Sequence, residues 1–293
     1  MTRKERIDRA LEGASVDRPP FALWHHFRLP TAEAHAEATL GFHRRYRTDL
    51  VKVMSDFPYP RSAGKWYELR PEANPFPQQI RALELIRDGL QGAAYFIETV
   101  FNPWHVAQKL SSKEEVRKLK EENPQALLDA LEAITQSEIH HARLALAAGA
   151  EGLFLSVDGA VAAELSPADY TKFSAPFDKR ILEAVSGAKL NVLHMHVESE
   201  YLELFQGFPA AILNYSQHVS GIPMAEVRRR FGAVLAGGID EVNYGALSLD
   251  ELRAQWKAAA EAAGPRFILT PGCSVPDDSA PEALARLAQV VGA

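Results

Sequence analysis

The sequence predicts an α/β protein, a single (β/α)₈ TIM barrel with its active site at the carboxyl ends of the strands. Eight short apolar runs follow one another along the 293 residues, and stretches with helical apolar spacing separate them. This repeated succession of strand and helix favours parallel pairing of the strands. Polar residues with useful chemistry follow most of the runs, where a barrel of this kind places its active-site loops.

The predicted strands are distributed over the whole chain. They cover residues 21–24, 50–54, 94–99, 152–157, 190–194, 211–214, 233–237 and 266–270. Helical patterns lie between them, as in residues 123–148, where leucine and isoleucine recur every three or four positions. Ser166-Pro167 predicts an N-cap before a first-turn proline, and Ser248 with Glu251 predicts a capping box.

An open doubly wound sheet is the alternative fold. Such a sheet usually carries a glycine-rich first turn, whereas the Gly237-Gly238 pair comes late and lacks that fingerprint. No internal repeat, low-complexity tract or convincing boundary divides the chain, so residues 1–293 are expected to form one domain. The proline-rich stretches 57–60 and 74–77 indicate one long irregular insertion after the second predicted strand.

Composition and charge limit the partners of this chain. A formal net charge of −6 gives no basic footprint for nucleic acid or an anionic membrane. The single cysteine forms no intrachain disulfide, the N-terminal segment lacks the apolar core of a signal peptide, and no apolar run approaches ~18 residues. We therefore expect a cytoplasmic protein that acts on a small molecule, with neither nucleic acid nor membrane as partner.

His194-Met195-His196 and the distant Cys273 form a candidate metal site. Each of these residues follows or ends a predicted strand, so a barrel would bring their side chains to one end. Two imidazoles and a thiolate suit zinc, with an open fourth position for a substrate. The structural alternative is that Cys273, as a lone cysteine, is a small buried hydrophobe.

Further polar residues follow the other predicted strands. Asp56 and Asp158 are candidates for polarising or orienting a substrate, although an aspartate at such a position also commonly caps a turn. Trp24 more often packs than binds, and His25 and His26 could be solvated loop residues. The residues expected to line a substrate pocket are Trp24, His25, Arg28, Tyr215 and His218.

Several segments resemble the uroporphyrinogen decarboxylase superfamily. These segments are residues 10–13 (ALEG), 16–20 (VDRPP), 36–40 (AEATL), 55–56 (SD), 165–170 (LSPADY), 235–240 (LAGGID) and 271–273 (PGC). The resemblance spans almost the whole chain. It implies a (β/α)₈ barrel and one of two chemistries.

One chemistry that the resemblance implies is decarboxylation of a tetrapyrrole with many carboxylates. The true decarboxylases bind it with a paired-arginine motif after the first strand and with an aspartate that matches Asp56. Here residues 25–28 contain only Arg28, which offers at most one bidentate clamp. Cys273 also stands where a late histidine is expected. The resemblance therefore favours the other branch over tetrapyrrole decarboxylation.

That other branch comprises zinc methyltransferases, which move a methyl group from a corrinoid to a thiol. Their zinc ligands are a His-x-Cys pair and a distant cysteine, which His194-x-His196 and Cys273 resemble with one thiolate replaced by an imidazole. Two neutral imidazoles and one thiolate leave the zinc unit with one net positive charge. This charge lowers the pKa of a coordinated thiol or water further and makes the bound nucleophile less reactive.

The resulting prediction is a zinc-dependent methyl or alkyl transferase that activates a thiol substrate. A corrinoid, carried by a corrinoid protein, is the candidate donor. One alternative is a uroporphyrinogen decarboxylase-type carboxy-lyase in tetrapyrrole metabolism, and another is a non-catalytic barrel that binds a corrinoid or tetrapyrrole.

Overall fold

The computed structural model describes residues 1–196 and 201–292, and within them one sheet of seven parallel strands follows chain order. Each strand pairs with the next in the sequence, as a barrel wall requires. The strands are β1 (Leu50–Val53), β2 (Tyr95–Phe101), β3 (Leu153–Val157), β4 (Val192–Met195), β5 (Ile212–Tyr215), β6 (Val234–Ile239) and β7 (Phe267–Pro271).

Helices connect successive strands and cover the outside of the sheet. They are α1 (Arg3–Glu12), α2 (Ala32–Tyr46), α3 (Pro77–Leu90), α4 (Pro103–Leu110), α5 (Lys113–Glu122), α6 (Pro124–Ala147), α7 (Pro167–Phe173), α8 (Ala175–Glu183), α9 (Gln217–Ser220), α10 (Met224–Arg230), α11 (Leu249–Ala263) and α12 (Pro281–Val290). Short 3₁₀ turns lie at Leu202–Phe205 and Tyr244–Ala246. Among the helices described, none combines the length and the apolar character that crossing a membrane requires.

Seven of the eight predicted strands are confirmed. The first, predicted at residues 21–24, does not form a regular strand. Phe21 forms only an isolated parallel bridge with Leu269 of β7. Pro20 has no N–H to donate, and the Phe21 N–H donates to the side chain of Asp49 at 2.8 Å. The predicted eight-stranded barrel is therefore a seven-stranded sheet, with an irregular segment hydrogen-bonded to β7 and to the residue before β1.

Strand side chains alternate between the interior of the sheet and the helical layer. On β4, Val192 belongs to an interior cluster with Ile97 and Phe154, whereas Leu193 and Met195 pack in the outer core with the helices. His194 has the interior parity, and its ring lies 4.9 Å from that of Phe154. This alternation directs one imidazole of the sequence motif to the interior face of the sheet.

The predicted helix signals and the insertion are also found. Ser166 caps α7, and Ser248 forms a capping box with Glu251 at the start of α11. Residues 54–76 contain neither helix nor strand. This segment packs on α6, where the Tyr59 hydroxyl donates to Ser137 Oγ at 2.8 Å. It forms one wall of the cavity described below.

A buried carboxylate connects the N-terminal segment to the sheet. Asp49 is fully enclosed and accepts hydrogen bonds from Arg6 and Arg18, each at 2.6 Å, and from the Phe21 N–H. The same Arg6 also pairs with Asp17, whose side chain is 45% exposed. Asp49 therefore holds α1 and the Phe21 segment against the start of β1.

We expect Asp49→Ala to lower the free energy of unfolding by about 3–5 kcal/mol, because it leaves buried guanidinium charge without its partner. Asp17→Ala is the matched control on the same arginine, and we expect a loss of about 1 kcal/mol or less. Urea unfolding of both variants measures the difference. Equal losses would show that Asp49 is not the central contact.

Candidate metal centre

Three side chains of the sequence motif converge at the carboxyl ends of β4 and β7. His194 lies on β4, His196 follows that strand, and Cys273 follows β7. One potential ligand atom from each residue lies within 4.8 Å of the other two. Their convergence follows from parallel strand order, which places residues that follow different strands at the same end of the sheet.

A glycine before the cysteine permits this approach. A Cβ added to Gly272 would lie 2.3 Å from the Cα of Ser216, closer than real Cβ atoms come to backbone. The Gly272 N–H donates to Glu241 Oε2 at 3.2 Å, which fixes the turn after β7. The sequence Gly272-Cys273 thus lets the chain pass Ser216 and present the thiol to the histidines.

Asp158 orients one of the imidazoles. Its carboxylate lies 2.8 Å from His196 Nδ1 and also contacts His105 Nδ1. Burial raises the pKa of Asp158, but the hydrogen bonds of the two histidines hold this pKa well below its usual range. For His196, burial lowers the pKa, and its contacts with Asp158 and Cys273 raise it to about 10.

Cys273 lies in surroundings that favour its thiolate. Burial raises the pKa of the thiol, but hydrogen bonds from His194 and His196 lower it to about 4. Asp158 holds His196 at Nδ1, as a carboxylate does when it orients a metal-binding histidine. His194 Nδ1 is buried without a hydrogen-bond partner among the described residues. A thiolate and two imidazoles in this arrangement fit zinc.

Asp56 occupies a second polar position near the centre. It accepts hydrogen bonds from His26 Nδ1 at 2.6 Å and from the N–H groups of Phe27 and Arg28 at 3.1 and 3.0 Å. Burial raises its pKa, but His26 and the Arg28 amide hold this pKa below the usual range. The carboxylate is therefore ionised and already bound by the turn after Trp24.

Two neighbouring spaces share the lining residues His26, Phe101 and His196. The inner space has a volume of about 40 Å³ and reaches His194, His196 and Cys273. The outer cavity has a volume of about 570 Å³ and lies between residues 55–61 and α4. His196 lines both spaces. The outer volume is sufficient for a small-molecule substrate, which would reach the ligands from this side.

Lys52 is a buried cationic group in the inner space. Its side chain lies on the interior face of the sheet, with Nζ 2.7 Å from Met54 Sδ and 4.3 Å from the centre of the Phe154 ring. Burial lowers its pKa to about 7, although the charge of Cys273 opposes this shift. Lys52 therefore titrates near neutral pH beside the candidate ligands.

Some of the predicted substrate-binding residues line the two spaces near the candidate metal ligands, and the others lie outside these spaces. Trp24 lines the inner space, and Arg28 lines the outer cavity while pairing with Asp277 at 2.7 Å. His25 lies on another face, where its Nε2 contacts the carbonyl oxygen of Asp277. Two further predicted residues lie outside both spaces.

Tyr215 packs in the outer core and donates to the carbonyl oxygen of Ile222 at 3.1 Å. The side chain of Tyr215 lies on the outer face of β5, whereas that of the preceding Asn214 faces the interior. His218 is exposed on α9 beside Gln217. The structure therefore does not bring Tyr215 or His218 to the candidate metal centre.

Several polar residues of the two spaces were not selected from the sequence as site residues. Among them are His26, Lys52, His105 and Glu138. Period-two alternation indicates the first two, since His26 follows the interior residue Trp24 by two positions and Lys52 follows the interior residue Leu50. His105 and Glu138 lie on helices, where no strand-end signal marks them.

Comparisons with known proteins identify the family. The family model described as uroporphyrinogen decarboxylase matches residues 57–293. Because this match covers well over half of the sequence, the chain belongs to the uroporphyrinogen decarboxylase family. The resemblance recognised in the sequence is thereby confirmed. No curated protein matches the sequence.

Solved structures extend the similarity of fold. A methyltransferase from Methanosarcina mazei superposes with a TM-score of 0.82 at 18% identity, covering 100% of this chain and 98% of the other. A B12-independent methionine synthase from Shewanella sp. W3-18-1, in complex with selenomethionine, gives a TM-score of 0.65 at 13% identity, covering 94% and 93%. At these identities the likeness shows a common α/β fold.

The lowered pKa of Cys273 predicts how this single cysteine reacts in metal-free protein. The thiolate is fully present above about pH 5, so the rate of alkylation by iodoacetamide should change less than about twofold between about pH 6 and 8. A free cysteine peptide should gain more than about tenfold over this range. His196→Ala should make the rate pH-dependent, because it removes a hydrogen bond to the thiolate. A wild-type profile that follows the peptide would contradict the assignment.

Proposed function

We propose that this member of the uroporphyrinogen decarboxylase family is a zinc-dependent methyl or alkyl transferase that acts on a thiol substrate. The observation that carries the proposal is the convergence of His194, His196 and Cys273 within 4.8 Å. Zinc held by these residues would supply an open coordination position in which a thiol has a lowered pKa. The folds of a methyltransferase and a methionine synthase support this reaction class.

The chain's own residues position the ligands and substrate. Asp158 holds the Nδ1–H of His196 and prevents the imidazole from rotating away from Cys273. Asp56 maintains the turn that carries His26 and Arg28 along the outer cavity. We assign the orientation of the substrate to this turn with His26 and Arg28. The apolar surface of Trp24 and Phe154 in the inner space excludes water from the reacting group.

The proposed donor is a corrinoid presented by a partner protein at the opening of the outer cavity. The contacts of Arg28 argue against the decarboxylase alternative. This arginine is the only one within residues 25–28, its side chain is 66% exposed, and it pairs with Asp277. A substrate with many carboxylates requires several guanidinium partners, whereas among the described residues the outer cavity has only Arg61 besides the engaged Arg28.

The zinc assignment predicts about one tightly bound zinc per chain by elemental analysis of purified protein. His194→Ala and Cys273→Ser should each remove most of it. Asp158→Asn should lower zinc affinity about 10–100-fold, because it weakens the contact that orients His196. Asp56→Asn is the control and should retain wild-type zinc. Full retention of metal by both ligand variants would disprove the site.

Thiol activation predicts proton release when a small thiol binds to the zinc-loaded protein. At about pH 7 close to one proton per thiol should appear, because a free thiol with pKa ~8.5 is mostly protonated. Calorimetry in buffers with different ionisation enthalpies counts the proton, and His196→Ala serves as the metal-depleted control. The same preparation should transfer methyl from methylcobalamin to the thiol. Thiol binding without proton release would rule out this role.

A further inference from the structure

Glu138 is a buried carboxyl group in the wall of the outer cavity. It lies on α6 with 1% of its surface exposed, opposite α4 and next to the segment 55–61. Its Oε2 is enclosed and has no hydrogen-bond partner among the described residues. A buried polar atom without a partner is destabilising and therefore requires an explanation.

Burial and the neighbouring Glu98 together favour the protonated form of this group. Glu98 on β2 is fully buried, and its two oxygens are bound by Gln79 Nε2 and His141 Nε2, each at 2.9 Å. Burial, together with the negative charge of Glu98, raises the pKa of Glu138 well above its usual range. Glu138 is therefore a neutral carboxylic acid with an O–H to donate.

The surroundings of Glu138 indicate what kind of group would accept this hydrogen bond. Aromatic rings of Phe57, Tyr59 and Phe76 line the cavity around it, so the ligand surface there is apolar. Arg61 and Lys109 line the same cavity and disfavour a cationic ligand. A flat apolar group with a neutral acceptor atom matches both features.

We propose that Glu138 donates a hydrogen bond to a carbonyl oxygen or an unprotonated ring nitrogen of a ligand in the outer cavity. The assignment of this ligand as a substrate of alkyl transfer rests on the proposed function, but the binding itself does not. Glu138 recognises a part of the ligand remote from Cys273, so it determines specificity and takes no part in bond making. The O–H of Glu138 has no acceptor among the described residues, and a bound ligand would supply that acceptor.

Benzamide and benzylammonium provide a matched pair of probes. Both present one flat ring, and they differ in carrying a neutral carbonyl or a positive charge. Ligand-observed NMR should detect benzamide binding to the purified protein at millimolar concentration and much weaker binding of benzylammonium. Benzamide affinity should fall about tenfold in Glu138→Met and stay within about threefold in Glu138→Gln, which keeps a neutral donor.

Thermal unfolding without probe provides the second measurement. The midpoint of Glu138→Met should be unchanged or higher by a few °C, because the variant removes an unpartnered buried group. A midpoint lower by several °C would reveal a structural partner and overturn the proposal. It would be overturned equally if benzylammonium bound better than benzamide, if Glu138→Gln lost benzamide binding, or if wild type bound neither probe. Failure of the zinc assignment would appear separately, as absence of metal with benzamide binding intact.

Discussion

The carboxylate of Asp158 is the contact on which the arrangement of the candidate centre depends. It follows β3 and contacts histidines from two other elements, His105 on α4 and His196 after β4. Its own N–H donates to Asn102 Oδ1, which also caps α4, so the carboxylate, the helix start and the imidazole are fixed together. Removal of Asp158 would free both rings and leave two partly buried imidazole N–H groups without this acceptor.

The same contact relates proton binding to metal binding. In the metal-free protein His196 lies between Asp158 and Cys273, which together raise its pKa to about 10. Its Nε2 would have to lose a proton before it could bind a metal, so the metal affinity of the proposed centre would decrease as the pH falls. The proton therefore stabilises the thiolate and would compete with a metal for the same nitrogen. A preorganised but protonated centre is the physical result.

The sequence predicts the strands and the three candidate ligands because both depend on local pattern. It fails at residues 21–24, where Asp49, remote in sequence, takes the Phe21 N–H that a strand would have used. It also selects Tyr215, because Tyr215 lies at the end of a predicted strand. Alternate strand residues face opposite sides of the sheet, so it is the preceding Asn214 that faces the interior. Glu138 carries no local signal at all. Its raised pKa depends on burial and on Glu98, which the packing of α6 against β2 brings near.

His196 stands where the resemblance implies a thiolate, and Lys52 is a second group that affects the charge of the same inner space. Two imidazoles and one thiolate leave a divalent ion with a net positive charge, and a protonated lysine in the same enclosed space would add to it. Burial already lowers the pKa of Lys52 to about 7, while the charge of Cys273 supports the protonated form. A cation bound to that thiolate would remove this support and lower the pKa further. The loaded centre would then contain a neutral amine beside the ligands, and its single positive charge would remain available for an anionic substrate atom.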